Sequence, residues 1–78
     1  MINRLSLINL KNGQKGVIIS IAGGWRATKR LADLGLTPET TVEVLKKAPF
    51  LGPLLIKVRG SKFILGKGLA SKVFVKLK

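Results

Sequence analysis

Side chains that perform chemistry at neutral pH are scarce in this 78-residue chain. It has no His, no Cys and no Tyr, and its carboxylates are Asp33, Glu39 and Glu43. A general acid or base must exchange protons near pH 7, which calls for His or for a carboxyl group tuned by a neighbour. The three carboxylates fall in a helix, a turn and a strand face by the sequence pattern, where solvated surface groups are the simplest reading. A serine nucleophile would lack its base, since lysine serves only within a serine-lysine motif. Transition metals are held by Cys, His and carboxylates acting together, and three scattered carboxylates make no cage. The glycines of Gly13 to Gly16 and Gly66 to Gly68 lack the strand, GxxxxGK[ST] and helix order of a phosphate loop and are read as turns. These absences exclude an enzyme and leave no expected cofactor and no metal site. What remains is binding.

The residues suited to binding are basic and aromatic. Fifteen Lys and Arg stand against the three acids, for a net charge of +12. Such a charge attracts nucleic acid, an anionic membrane surface or an acidic protein face. It is spread from Arg4 to Lys78, with short clusters at Arg26, Lys29 and Arg30, at Lys46 and Lys47, and at Lys57, Arg59 and Lys62. Trp25 precedes the first cluster and either roofs the core or stands out as an aromatic anchor of the kind that dominates interfaces. Phe50 and Leu51 sit on a loop tip between prolines, where burial against the body competes with an exposed apolar knob. The candidate docking surface is therefore Trp25, Arg26, Lys29, Arg30, Phe50 and Leu51 taken together.

The elements that must position these residues follow from periodicity. Arg4 to Leu7 alternates, and Gly16 to Ile21 is β-branched enough for a buried strand. From Ala27 to Leu34 the period changes: Ala27, Leu31 and Leu34 recur at helical spacing, with Lys29, Arg30 and Asp33 on the other face. Gly35 stands where a helix cap needs a left-handed residue, and Leu36 can fold back on the helix, so Leu31, Leu34 and Leu36 are expected in core and cap. Thr37 to Thr40 suits a turn and Thr41 to Lys47 a half-buried strand. After the loop from Ala48 to Pro53, Leu54 to Arg59 and Lys62 to Leu65 form a hairpin turning at Gly60-Ser61. A short turn from Leu69 to Lys72 precedes the last strand, Val73 to Leu77. Five or six short strands with one short helix, residues 27–34, predict a mainly β fold closed into a small barrel.

Length and composition bound the context. A chain this short is expected to be one domain spanning residues 1–78. With 46% hydrophobic residues it has material for a core. The stretch from Val17 to Trp25 is too short and too interrupted to cross a bilayer, and the N-terminus shows no charged start followed by an apolar run and cleavage site. The expected location is the cytoplasm.

The order of these elements carries a family resemblance. The unit LSLINLKNGQKGVII, the stretch AGGWRATKRLADLGLTPETTVEVLKKAPFLGPLLIKVRG and the closing FILGKGLASKVFV are similar to the FeoA family of bacterial ferrous-iron uptake accessory proteins. The specific part runs from Arg30 and Leu31 through Leu34-Gly35-Leu36, Pro38, Val42 and Val44 to Ala48-Pro49, Gly52-Pro53 and Val58-Arg59-Gly60. The resemblance implies an SH3-like barrel, a fold shared with the C-terminal domain of iron-dependent repressors. It also implies a cytosolic partner of FeoB, the membrane ferrous-iron transporter with a GTP-binding domain. Transition-metal binding is a family-level label for which this chain offers no ligand set. At Gly66-Lys67-Gly68-Leu69 the chain departs from relatives with acidic or arginine-rich residues there. The competing reading is a basic SH3-like nucleic-acid module, weakened by a supply of stacking residues limited to Trp25, Phe50, Phe63 and Phe74. Self-association through the Phe50-Leu51 loop, giving a weak homo-oligomer, and electrostatic proximity to the inner membrane surface are both compatible with the FeoA reading.

Overall fold

Alternation of apolar and polar residues sets which strands form and which way they face. The computed structural model describes residues 5–50 and 52–78, so Leu51 of the expected docking surface lies outside the described residues. The chain runs β1 (Leu5–Ser6), a 3-10 turn (Leu7–Asn9), β2 (Lys15–Ile21), α1 (Gly24–Asp33), β3 (Thr41–Lys47) and β4 (Leu54–Val58). It continues through β5 (Ser61–Leu65), α2 (Lys67–Ala70) and β6 (Val73–Leu77). All strands pair antiparallel in one sheet of order β1-β6-β2-β3-β4-β5. The register shifts between Ile18 and Ser20 in β2 and between Val44 and Lys46 in β3. Bulges of this kind bend a strand and sharpen its twist, which wraps the sheet around its own inner face. The result is a mainly β, SH3-like small barrel.

The inward set is the one alternation selects. Val42 and Val44 of β3, Leu54, Ile56 and Val58 of β4, and Val73 and Val75 of β6 share one buried cluster with Ile18 and Leu65. Leu7, Leu10, Leu31, Leu36 and Ala70, from the turns and helices, fill it from outside the sheet. Gly16 makes room for this packing: a Cβ there would sit 2.9 Å from both Cβ and Cγ2 of Val75. No side chain heavier than hydrogen fits between β2 and β6 at that point unless the strands move.

Helix α1 is short, and helices of its length are marginal alone in water, so packing must hold it. Ala27 and Leu31 bury its inner face. Its end is a Schellman motif: the Gly35 N–H donates to Ala32 O at 2.9 Å and the Leu36 N–H to Leu31 O at 2.9 Å. Gly35 has φ +88°, the left-handed conformation this motif requires. Leu31 and Leu36 are thereby pinned side by side in the core.

Several elements differ from expectation for identifiable reasons. Among the described residues the first strand covers Leu5–Ser6, Arg4 lying outside them, and Leu7 turns into the core instead of alternating. The cause is local: the Ile8 N–H donates to Ser6 Oγ at 3.2 Å and the Ser6 N–H to Asn9 Oδ1 at 2.9 Å. Ser6 Oγ in turn donates to Ala70 O at 3.2 Å, which ties this turn to α2. Helix α1 starts at Gly24, not Ala27, because Gly23 and Gly24 adopt positive φ and turn the chain straight into it. Leu34 is 40% exposed, a correction to its expected place in the core, because it is the capping residue after the helical period has ended. The β4–β5 turn is Arg59-Gly60, with φ +51° and +83°, one residue earlier than expected. Both central residues need positive φ in this tight hairpin, and Arg is an uncommon occupant of that position. The segment from Leu69 to Lys72 begins inside a single helical turn, α2.

Two substitutions test this packing. Leu31→Ala is expected to cost about 2–5 kcal/mol, seen as a lowered urea midpoint or loss of the cooperative transition. Gly16→Ala is expected to cost about 1–3 kcal/mol through the clash with Val75. An unchanged midpoint for either would contradict the arrangement described.

Candidate functional site

Burial of Ala27 and Leu31 dictates what α1 turns outward. Residues three and four apart share a helix face, so Trp25, Arg26, Lys29 and Arg30 are carried to the solvent side. All four are exposed, Trp25 to 74% of its surface. Trp25 therefore stands out on the surface and does not roof the core. Lys29 stands one turn beyond Trp25, and its Nζ lies 5.4 Å from the indole centroid, within cation–π range. The contact leaves the ring exposed. Together with Arg30 and Asp33 these residues line a shallow depression of about 380 Å³.

The other half of the expected surface lies elsewhere. Phe50 is 99% exposed, at the tip of the loop between β3 and β4. That loop is tight: the Ala48 N–H donates to Pro53 O at 3.0 Å and the Gly52 N–H to Pro49 O at 3.2 Å. A Cβ on Gly52 would come within 2.7 Å of Ala48 Cβ, so glycine is needed for the close approach. Beside the loop, Ala48, Pro49, Pro53, Leu55 and Ile64 line a second depression of about 240 Å³, apolar in character.

Strand directions keep the two regions apart. Gly35, just past the end of α1, packs near Val58, with 3.8 Å from its Cβ position to Val58 Cγ1. Val58 pairs with Val42 at one end of the β3–β4 ladder, whereas the Phe50 loop leaves from Lys47 and Leu54, which pair at the other. Among the described residues no side chain lines both depressions. The six residues expected to form one docking surface are therefore divided between the α1 face and the loop, with Leu51 undescribed.

Sequence reasoning missed Leu55 and Ile64. Ile64 is 69% exposed, although Lys62 to Leu65 reads as a strand with three apolar residues in succession. Register decides which of them faces out: Leu54 pairs with Leu65 inside the barrel, which places the neighbouring Leu55–Ile64 pair outside. The signal in the sequence was the alternation of β4, which already leaves Leu55 facing away from the core.

Among the described residues there is no group of three or more His, Cys, Asp or Glu able to hold a metal ion. The described residues also contain no helix long and apolar enough to cross a membrane. The aromatic side chains do not form a row for base stacking: Trp25 and Phe50 are on separate faces, and Phe63 and Phe74 are half-buried.

Comparison with known proteins places this geometry. The FeoA domain family matches residues 5–77. A Methanocaldococcus jannaschii protein, named as a candidate Fe(2+) transport protein A, is 31% identical over 65 residues, covering 83% of this chain and 77% of its own length. The crystal structure of an iron uptake regulatory protein, FeoA, superposes with TM-score 0.90 at 39% identity, covering 97% of this chain and all of that one. A manganese-dependent transcriptional repressor superposes with TM-score 0.88 over the whole of this chain and 44% of its own. At 18% identity, that likeness is one of fold alone. With residues 5–77 matched by the family and nearly the whole chain superposed on an FeoA structure, this chain belongs to the FeoA family.

Proposed function

We propose that this chain is a cytoplasmic accessory protein of ferrous-iron uptake that docks, through the outward face of α1, on the cytosolic GTP-binding domain of a FeoB-type transporter. FeoA domains are non-catalytic accessories that function alongside FeoB, and this chain's membership supplies that setting. The observation that carries the docking reading is the exposed Trp25 flanked by Arg26, Lys29 and Arg30 on one helix face. Trp and Arg dominate the energetics of protein interfaces, because a large apolar surface is joined there to a directional, charge-assisted donor set. Lys29 lies over the indole face, a contact worth about 0.5–1 kcal/mol at an exposed site. No step of this role needs a metal held by the chain.

The test is binding of the purified, full-length chain to the soluble GTP-binding domain of its transporter. Trp25→Ala is expected to weaken that binding by about tenfold or more, as for an interface anchor. The melting temperature should be unchanged, because Trp25 contributes little to the core. An unchanged affinity would contradict docking through α1. A gel-shift titration in which the chain binds nucleic acid, with an affinity that falls across salt with the steep slope of phosphate contacts, would favour a nucleic-acid partner instead.

A further inference from the structure

Phe50 is a residue whose place the fold does not explain. Its ring is 99% exposed and contributes nothing to the core. Its φ of +56° lies in the left-handed region, where glycine or asparagine is the easier occupant. Neither packing nor backbone geometry calls for an aromatic residue at this tip.

The surroundings of Phe50 have a distinct chemistry. Ile64, 69% exposed, pairs with Leu55 across the outer face of β4 and β5, and Lys46 pairs with Leu55 on its other side. The next outward pair along β4 and β5 is Lys57 with Lys62. One carboxylate, Glu43, faces Lys57 from β3. This face is therefore an apolar strip of Phe, Ile, Leu and Pro edged by lysines, with Arg59 beyond them at the β4–β5 turn and no Trp. Lysine is depleted at protein interfaces. It is suited instead to surfaces where its carbon stem lies along apolar material while the ammonium reaches outward. Apolar anchors beside lysines are the pattern of side chains that sit in the boundary between lipid headgroups and acyl chains. Lys62 also guards the edge strand β5 against pairing with other chains, which accounts for one lysine and not for Lys46, Lys57 or the exposed apolar residues. A second copy of the chain is a poor occupant, because each carries a net charge of +12.

We infer that Phe50 and the outer face of β4–β5 bind an anionic lipid bilayer surface, with Phe50 and Ile64 entering the headgroup boundary and Lys46, Lys57 and Lys62 lying against lipid phosphates. Each such lysine adds about fivefold to partitioning, so the three together supply on the order of a hundredfold. The inference does not rest on docking through α1, which uses a different face and can fail independently.

Vesicle flotation of the full-length chain tests it. Binding is expected to mixed phosphatidylcholine–phosphatidylglycerol vesicles and not to pure phosphatidylcholine. Phe50→Asn combined with Ile64→Ser should lower partitioning by about tenfold or more. The melting temperature should not fall, since Asn tolerates the left-handed backbone and both side chains are exposed. Trp25→Ala should leave partitioning unchanged. In a Trp25→Phe background, Phe50→Trp should give an emission that shifts to the blue when the mixed vesicles are added. Wild-type failure to float with the mixed vesicles, undiminished flotation of the double variant, or an unshifted reporter would each overturn the inference. Loss of binding to the soluble GTP-binding domain by the double variant, with flotation intact, would assign the face to a protein partner and overturn it equally.

Discussion

The surface chemistry of this protein depends on one lock: Leu31 and Leu36, held side by side in the core by the Schellman turn at Gly35. A ten-residue helix without a partner is a marginal structure, and α1 persists because Leu31 is buried against the inner faces of the strands. Fixing Leu31 inward fixes Trp25, Arg26, Lys29 and Arg30 outward, since a helix has no freedom to rotate one face without the other. The orientation of the candidate docking surface is thus a packing consequence. The left-handed φ of Gly35 is the local condition for it.

The same completeness of the core explains why large apolar residues remain outside. Leu7, Leu10, Ala70 and the strand residues occupy the interior, and Gly16 has given up its side chain to let Val75 in. Trp25, Phe50 and Ile64 are left on the surface, on two faces of different composition. Trp and Arg on α1 suit a protein partner, and Phe, Ile and Lys on β4–β5 suit a lipid surface. An accessory protein of a membrane transporter has use for both. The chain's many lysines are then an attraction toward an anionic surroundings, with the apolar contacts supplying position.

Much of this was legible in the sequence, and what was not has physical causes. Strands β3 and β6 were readable to the residue because Val42 and Val44, and Val73 and Val75, alternate with less buried neighbours and turn signals bound both strands. Gly35 announced the helix end, because the motif it closes is local. The start of α1 was hidden by Gly23-Gly24, which reads as a strand terminator and acts as a helix entry. Leu34 misled because it continues the helical spacing one residue past the helix, at the cap itself. The relation between faces was beyond sequence reading altogether. Whether Phe50 neighbours Trp25, and whether Ile64 points out, is set by strand pairing between residues far apart in the chain.

The central claim is that the chain engages its transporter through α1 without carrying a metal. It is tested most directly by mapping backbone amide shifts of the isotope-labelled chain as the transporter's soluble GTP-binding domain is added in metal-free buffer. Perturbations centred on residues 24–34, with the β4–β5 face silent, are the expected result. Binding that appears only once ferrous iron is supplied, or perturbations centred away from α1, would contradict it.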